Sequence, residues 1–273
     1  MRFQKAALVF RKDWREVRRN WQVIAPIAIL PFMLSVVLPV IVIAIPSIAG
    51  QSSSSRDIAD LVKNLPDYVK NQLAGFNSGQ ILVYVMSLYL FAPFFLIIPV
   101  MASSVIASDS FAGEKERKTI EALLATPLSD SELFLGKILV SFVPSMIITL
   151  VSFAIYSTVV DLLSFQLFNG VLLLPNFTWI MMIFGLTPAV ALASIGLTVM
   201  ISARVKGFRE AQQISVVLLI PILLLIFAQI TGAIFFGPTV IAALLVAFVM
   251  FDILVFYLGV RLFGREEILS KLA

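Results

Sequence analysis

The stretch ILVYVMSLYLFAPFFLIIPVMASSVIASDSFAGEKERKTIEALLATPLSDSELFLGK, residues 81–137, decides what kind of chain this is. Residues 81–107 carry no charge and, as a helix, are long enough to cover the ~30 Å hydrocarbon core of a bilayer, which takes ~20 residues. Polar, charged sequence then begins at Ser108 and Asp109 and gives way to apolar residues again at Leu133. A transmembrane helix, a charged connector and the start of another transmembrane helix follow one another.

That pattern recurs along the chain. Uncharged or nearly uncharged apolar runs at residues 23–48, 81–107, 133–160, 179–202, 214–231 and 239–260 predict six spans in an all-α integral membrane protein, a single transmembrane domain over residues 1–273. The chain is 60% hydrophobic, against roughly 45–50% for an ordinary soluble domain; a mean hydropathy of +1.03 agrees. Arg11, Lys12, Arg15, Arg18 and Arg19 precede an apolar run too long for a signal-peptide core, and no small-residue cleavage site follows, so the first span is expected to stay attached. With no cysteine and no histidine, the chain has no disulfide, thiolate, imidazole metal ligand or histidine-ligated haem.

The net charge of +4 matters through its distribution. Seven Lys or Arg precede the first run, four lie between the second and third, three between the fourth and fifth, and three follow the sixth. The alternate connections hold only Arg56, Lys63 and Lys70, balanced by Asp57, Asp60 and Asp67. The positive-inside rule therefore predicts cytoplasmic termini in an inner membrane, and this basic balance calls for lipid rather than nucleic acid. Prolines at 26, 31, 39, 93, 99, 144, 188 and 221 fall within the spans. Each reads equally as a hinge or as a bend fixed by packing, and none receives a role from sequence.

Three further segments stand out. In residues 1–21, Phe3, Ala7, Phe10, Trp14, Val17 and Trp21 recur at spacings of four and three with basic residues between, which predicts an amphipathic helix along the inner leaflet. It serves either as a topology anchor or as a mechanical element leading into the first span. Residues 49–80 form a polar extracytoplasmic segment in which Ile58, Leu61, Val62, Leu65, Val69 and Leu73 make an amphipathic pattern bent at Pro66. In residues 108–137 the charged opening Glu114, Lys115, Glu116, Arg117, Lys118 leads into Ile120, Leu123 and Leu124 at i, i+3, i+4, predicting a short helix stopped by Pro127. Ser129 and Asp130 then offer caps for the next helix. A solvated loop gains nothing from such a stripe, which favours a docked helix. Gly113 with Lys118 and Thr119 lacks the second glycine of a phosphate-binding loop, and Gly136, Lys137 lacks the first, so no nucleotide site is read here.

The run Gly113, Glu114, Glu116, Arg117, Thr119, Ile120, Glu121, Leu123, Leu124, Pro127 with Gly136 and Lys137 resembles the coupling segment of ABC-2 type transporter permeases, including the sodium-extrusion and drug-export type membrane subunits. Ser202, Ala203, Arg204, Val205, Lys206, then Arg209, Glu210, Ala211, Gln212 and Gln213 are similar to that family's second cytoplasmic loop. The resemblance covers nearly the whole chain. It implies a permease subunit, not an enzyme and without a nucleotide-binding site of its own, that pairs with a second copy or similar permease. It further implies that each permease docks a separate ABC ATPase, where ATP and magnesium bind, and that residues 1–21 are an elbow helix. Docking falls on Glu114, Glu116, Arg117, Thr119, Ile120, Leu123, Leu124 and Pro127, with Arg204, Lys206, Arg209 and Glu210 in the second loop. Export is the direction expected.

Asp252, inside the sixth run, is the chain's intramembrane carboxylate. It reads either as an ion or proton ligand, or as a helix-to-helix hydrogen bond or hydrated residue. The first reading would suit a partner-independent secondary transporter or channel, the alternative function. An intramembrane enzyme has no convincing dyad or metal site.

Overall fold

Six helices long and apolar enough to cross a membrane run through the chain: span 1 (Trp21–Ala44), span 2 (Ser78–Glu116), span 3 (Leu135–Ser164), span 4 (Phe177–Ser202), span 5 (Phe208–Ile230) and span 6 (Pro238–Tyr257). The computed structural model describes residues 3–17, 19–48, 65–119, 130–205 and 207–262, and no β-strand occurs among them. The number and order of the spans agree with the apolar runs, and the chain is an all-α, multi-pass membrane protein. Hydrocarbon offers no partner to a backbone N–H or C=O, so apolar runs of this length close their hydrogen bonds within the helix.

Among the described residues two helices lie outside the spans, α1 (Phe3–Val17) and α2 (Asp67–Gln72). Asn20 joins α1 to span 1, its side chain accepting from the Gln22 N–H at 3.1 Å to cap the new helix. Phe10, Trp14 and Val17 of α1 pack with Val23, Val105, Ile106, Val140 and Phe208. The described part of its apolar stripe is thus covered by the protein's own spans. Of the segment 49–80, residues 49–64 lie outside the described residues; Leu65, Val69 and Leu73 are buried around α2, which begins directly after Pro66. Span 2 starts at a reciprocal cap, Asn77 accepting from Gln80 N at 2.9 Å while Gln80 accepts from Asn77 N at 2.8 Å.

Spans 2 and 4 form the centre, and spans 5 and 6 are the least buried. The central pair carries small residues where it packs: Ala102, Ser103, Ser104 and Ala107 on one side, Ala189, Ala191, Ala193 and Ser194 on the other, all buried. Small side chains let helix backbones approach closely where lipid supplies no hydrophobic drive. Hydrogen bonds also cross between the two spans, among them Ser194 Oγ donating to Val100 O at 3.2 Å.

The structure differs from the sequence reading at two points. Span 2 continues as helix to Glu116, nine residues past Ala107, because Asp109 and Glu114 in that last part are buried and paired. The predicted helix from Glu114 through Leu124 does not run unbroken. Lys118 takes a left-handed φ of +57°, with Thr119 N bonding to Glu114 O at 3.0 Å and Lys118 N to Lys115 O at 3.2 Å. This is a Schellman ending, which satisfies carbonyls that a terminating helix leaves free. The next described helix begins at Asp130 and runs to Ser164. Residues 231–237 between spans 5 and 6 form turns and bends. Asp161, near the end of span 3, accepts from Leu173 N and Leu174 N at 2.9 and 3.1 Å, fastening the following loop.

Candidate functional site

The end of the molecule that carries most of the basic residues gathers α1, the end of span 2, the start of span 3 and the connection between spans 4 and 5. What holds them is charge. Glu114 is fully buried, and its carboxylate bridges two ammonium groups, Lys12 of α1 through Oε1 and Lys137 of span 3 through Oε2. Lys137, itself 1% exposed, also donates to Ser110 O and lies 4.9 Å from the centre of the Phe111 ring. Ser110 Oγ donates to Asp13 Oδ2 at 2.9 Å, and Asp13 is 4.0 Å from Lys137. Two acids and Lys137 are thus taken out of water together, with the part-exposed Lys12 beside them, which keeps the desolvation cost of each bearable.

A second group adjoins the first. Asp109 Oδ1 accepts from Arg117 Nη1 at 3.1 Å and from Asn20 Nδ2 at 3.2 Å, so that span 2 grips the turn between α1 and span 1. Arg117 Nη2 also lies 3.8 Å from Glu16 Oε2 on α1. Gly113 stands between Asp109 and Arg117; a Cβ there would come within 2.9 Å of the Asp109 carboxylate and 3.3 Å of the guanidinium. Its missing side chain is what lets that pair close.

The third group reaches the connection between spans 4 and 5. Glu116 Oε2 accepts from Phe208 N at 2.8 Å, and Lys115 Nζ donates to Val205 O at 3.0 Å. Glu116 therefore caps the first turn of span 5 from outside, supplying a carboxylate to a helix N-terminus. Gly207 makes room for it, since a Cβ at that position would stand 2.6 Å from Glu116 Oε2. An open polar cleft of about 280 Å³ lies between these groups, lined by Asn20, Asp109, Glu116, Arg117, Phe208 and Arg209.

The ionisation states follow from this packing. Burial alone would lower the Lys12 pKa, but the hydrogen bond and charge of Glu114, then Asp13 and Glu16, hold it well above the ordinary lysine range. Burial pushes Asp13 above the usual aspartate value, Glu114 adding to the rise, with Lys137, Lys12 and the Ser110 hydroxyl offsetting part of it. For Arg117 burial is again outweighed, here by Asp109 and then Glu16 and Glu114, and its pKa rises. Oxygens of Asp13, Glu16 and Glu114 lie within 4.8 Å of one another, a spacing a metal ion could use. Lys12, Lys137 and Arg117 already pair with that triad, and we assign it no cation.

The expected docking residues separate into distinct places. Glu114 has no surface to present. Glu116 and Arg117 are exposed but engaged within the chain, and Thr119 is exposed at the helix ending. Ile120, Leu123, Leu124 and Pro127 lie outside the described residues, as does Lys206. Arg204, Arg209 and Glu210 are exposed beside Val205 and Phe208, close to the Glu116 cap. Asp252 is part-buried in span 6, apart from this site, and its Oδ1 is buried with no hydrogen-bond partner among the described residues. Sequence reasoning missed Lys12, Asp13, Asn20, Asp109 and Ser110 and gave Lys137 no role. A signal was present for Asp13, which sits inside the Phe10, Trp14, Val17 stripe where a charge demands a partner.

These features define a class: a six-span helical membrane protein whose basic connections are drawn together at one end by ion pairs and hydrogen bonds. Within that class the chain belongs to the ABC-2 transporter family, whose model, described as ABC-2 family transporter protein, matches residues 7–240. The match takes in α1, the buried charge network and both basic connections, and it stops short of Asp252. No curated protein matches the chain.

Proposed function

We propose that this chain is the membrane-spanning permease of an ATP-driven exporter, set in the cytoplasmic membrane with both termini inside and paired with a second copy or a similar permease. ATP and magnesium bind in a separate ABC ATPase, which docks on Thr119, Ile120, Leu123, Leu124 and Pro127 of the first basic connection and on Arg204, Lys206, Arg209 and Glu210 of the second. The observation that supports this reading is the placement of Glu114 and Glu116. They tie the root of the 114–137 segment to α1, to span 3 and to the start of span 5. A force applied beyond Lys118 therefore reaches four elements at once.

Coupling operates as differential docking. Nucleotide favours the closed ATPase pair, and the docked segment binds that state better when the spans adopt one arrangement, so the two equilibria shift together. In this scheme Glu114 and Arg117 are internal transmission points, and contact belongs to the residues after the helix ending. The test is co-purification with candidate ATPase subunits and measurement of ATP turnover, comparing the native chain with a Leu123→Asp, Leu124→Asp variant of equal membrane insertion. Capture and turnover that the variant loses sustain the reading. The half-buried Asp252, with its unpartnered oxygen, favours the second reading of a gradient-driven transporter. Flux that needs Asp252 and no ATPase would put that reading first.

A further inference from the structure

Span 2 is not one rod. Its helix runs to Val85, passes through a π turn at Met86–Leu90, continues as a short piece over Ala92–Phe95 and resumes at Ile97. Phe91 N reaches back five residues to Met86 O at 3.0 Å, leaving Ser87 O without its usual donor. Pro93 has no N–H at all, so Tyr89 O, four residues earlier, also loses its donor. Carbonyls left bare at membrane depth are costly.

Three other spans satisfy three consecutive carbonyls of this segment. Tyr156 of span 3 donates to Ser87 O at 2.7 Å, Trp179 Nε1 of span 4 to Leu88 O at 2.9 Å, and Gln229 Nε2 of span 5 to Tyr89 O at 2.7 Å. Tyr156 and Trp179 are fully buried, stacked on each other at 5.0 Å and both against Phe95. Phe235, in the connection after span 5, rests on the Tyr89 ring at 4.7 Å. The two lengths of span 2 on either side keep their own helical bonds; what fixes the angle between them is borrowed from neighbours.

We infer that residues 86–96 form a joint in span 2, and that Gln229 is a positioning residue that sets its angle by supplying the hydrogen bond Pro93 cannot. Movement of the inner length, which ends in Asp109 and Glu114, passes through this joint to spans 3, 4 and 5. Side-chain donors can be exchanged as the joint turns, whereas helix bonds would have to break. π turns and prolines are where helices bend, and here they are nearly adjacent. The inference uses the membrane architecture alone and stands whether or not an ATPase docks.

The test exploits the proline. In the full chain in lipid nanodiscs, Gln229→Met should raise amide hydrogen exchange of residues 86–97 about tenfold, the factor set by one net hydrogen bond. It should also shift or broaden the spin-label distance between Ser78→Cys and Phe177→Cys, which the cysteine-free chain allows cleanly. Adding Pro93→Ala returns an N–H four residues after Tyr89 and should restore both readings. Tyr156→Phe, which strips Ser87 O instead, should loosen the same segment and not be rescued by Pro93→Ala. Gln229→Asn, one methylene short but still polar, gives the same comparison with a milder cut. Absence of rescue, an unchanged distance, or an exchange increase spread evenly over all six spans would overturn the inference.

Discussion

Lys137→Met isolates the network at the basic end, because methionine keeps an unbranched stem and removes the ammonium alone. The substitution deletes the contacts to Glu114 Oε2 and Ser110 O and the 4.0 Å approach to Asp13, leaving two buried carboxylates with one base, Lys12. Removing one partner of a buried pair costs about 3–5 kcal/mol. Lys12 still holds Glu114 Oε1 and is 39% exposed, so water and a second cation soften the loss and place it near the lower end, about 3 kcal/mol. With about 2–4 °C of midpoint per kcal/mol for a chain of this size, thermal unfolding in detergent should drop by roughly 6–12 °C. Helix circular dichroism and tryptophan emission are the readouts, Trp14 lying in the apolar cluster beside the site. Glu114→Gln alone should cost a similar amount, and the Lys137→Met, Glu114→Gln double variant should be more stable than the sum of the two losses by about 2 kcal/mol. A drop below about 2 °C for Lys137→Met, or strict additivity in the double variant, would refute the account of Glu114 as a buried bridge.

Further outcomes follow from the same geometry. Gly207→Ala places a methyl against Glu116 Oε2 and should cost about 1 kcal/mol, the worth of a helix cap, with faster hydrogen exchange confined to the start of span 5. Gly113→Ala should part Asp109 from Arg117, and limited proteolysis between residues 117 and 137 should then speed up while Lys137→Met thermal behaviour is not reproduced. The folded pKa of Lys12 is raised, so its contribution is complete below the unfolded value of about 10.4 and is lost as pH climbs through the higher folded value. Thermal stability should therefore show no Lys12-dependent fall between pH 6 and 9, and the difference between the native chain and Lys12→Met should shrink only in strong alkali. Asp13 has the same sign at the acid end of the scale: with its folded pKa raised, the stability it contributes is present below the unfolded value of about 3.9 and lost as pH rises through the folded one. Asp13→Asn, which cannot ionise, should make stability less dependent on pH above about 4, readable as a flatter midpoint-against-pH curve.

The spans were legible because hydrocarbon imposes a length and an absence of charge that any reader of the sequence can count. Their ends were less so. Span 2 was read as stopping at Ala107 because Ser108 and Asp109 look like the start of a connector, and nothing local says that Arg117 and Asn20 will neutralise Asp109. The helix break at Lys118 was equally hidden. Lys is an ordinary helix former, and the left-handed turn there is decided by where the Glu114 and Lys115 carbonyls find their donors. On α1 the apolar stripe was plain, but an amphipathic helix looks the same whether lipid or protein covers it. Asp13 was the one residue that distinguished the two, since a carboxylate on the buried stripe fits a protein site with Lys137 and Ser110 and fits a lipid surface badly.

The burial of Glu114 also changes where a partner must act. A charged pentad after an apolar helix invites the reading that all of its charges face outward. Here the first four members turn inward or sideways: Glu114 to Lys12 and Lys137, Lys115 to Val205, Glu116 to Phe208, Arg117 to Asp109 and to Glu16 of α1. Each is spent on holding another element of the same chain. On the function proposed above, affinity for an ATPase comes from residues past Lys118 and from Arg204, Lys206, Arg209 and Glu210, while the pentad sets how far a movement of those residues carries. The two roles predict opposite signatures: Leu123→Asp should abolish capture of the ATPase without lowering the unfolding midpoint, whereas Glu116→Gln should leave capture nearly intact and weaken the nucleotide dependence of the span movements. Equal loss of capture in both variants would mean that the pentad is a contact surface after all.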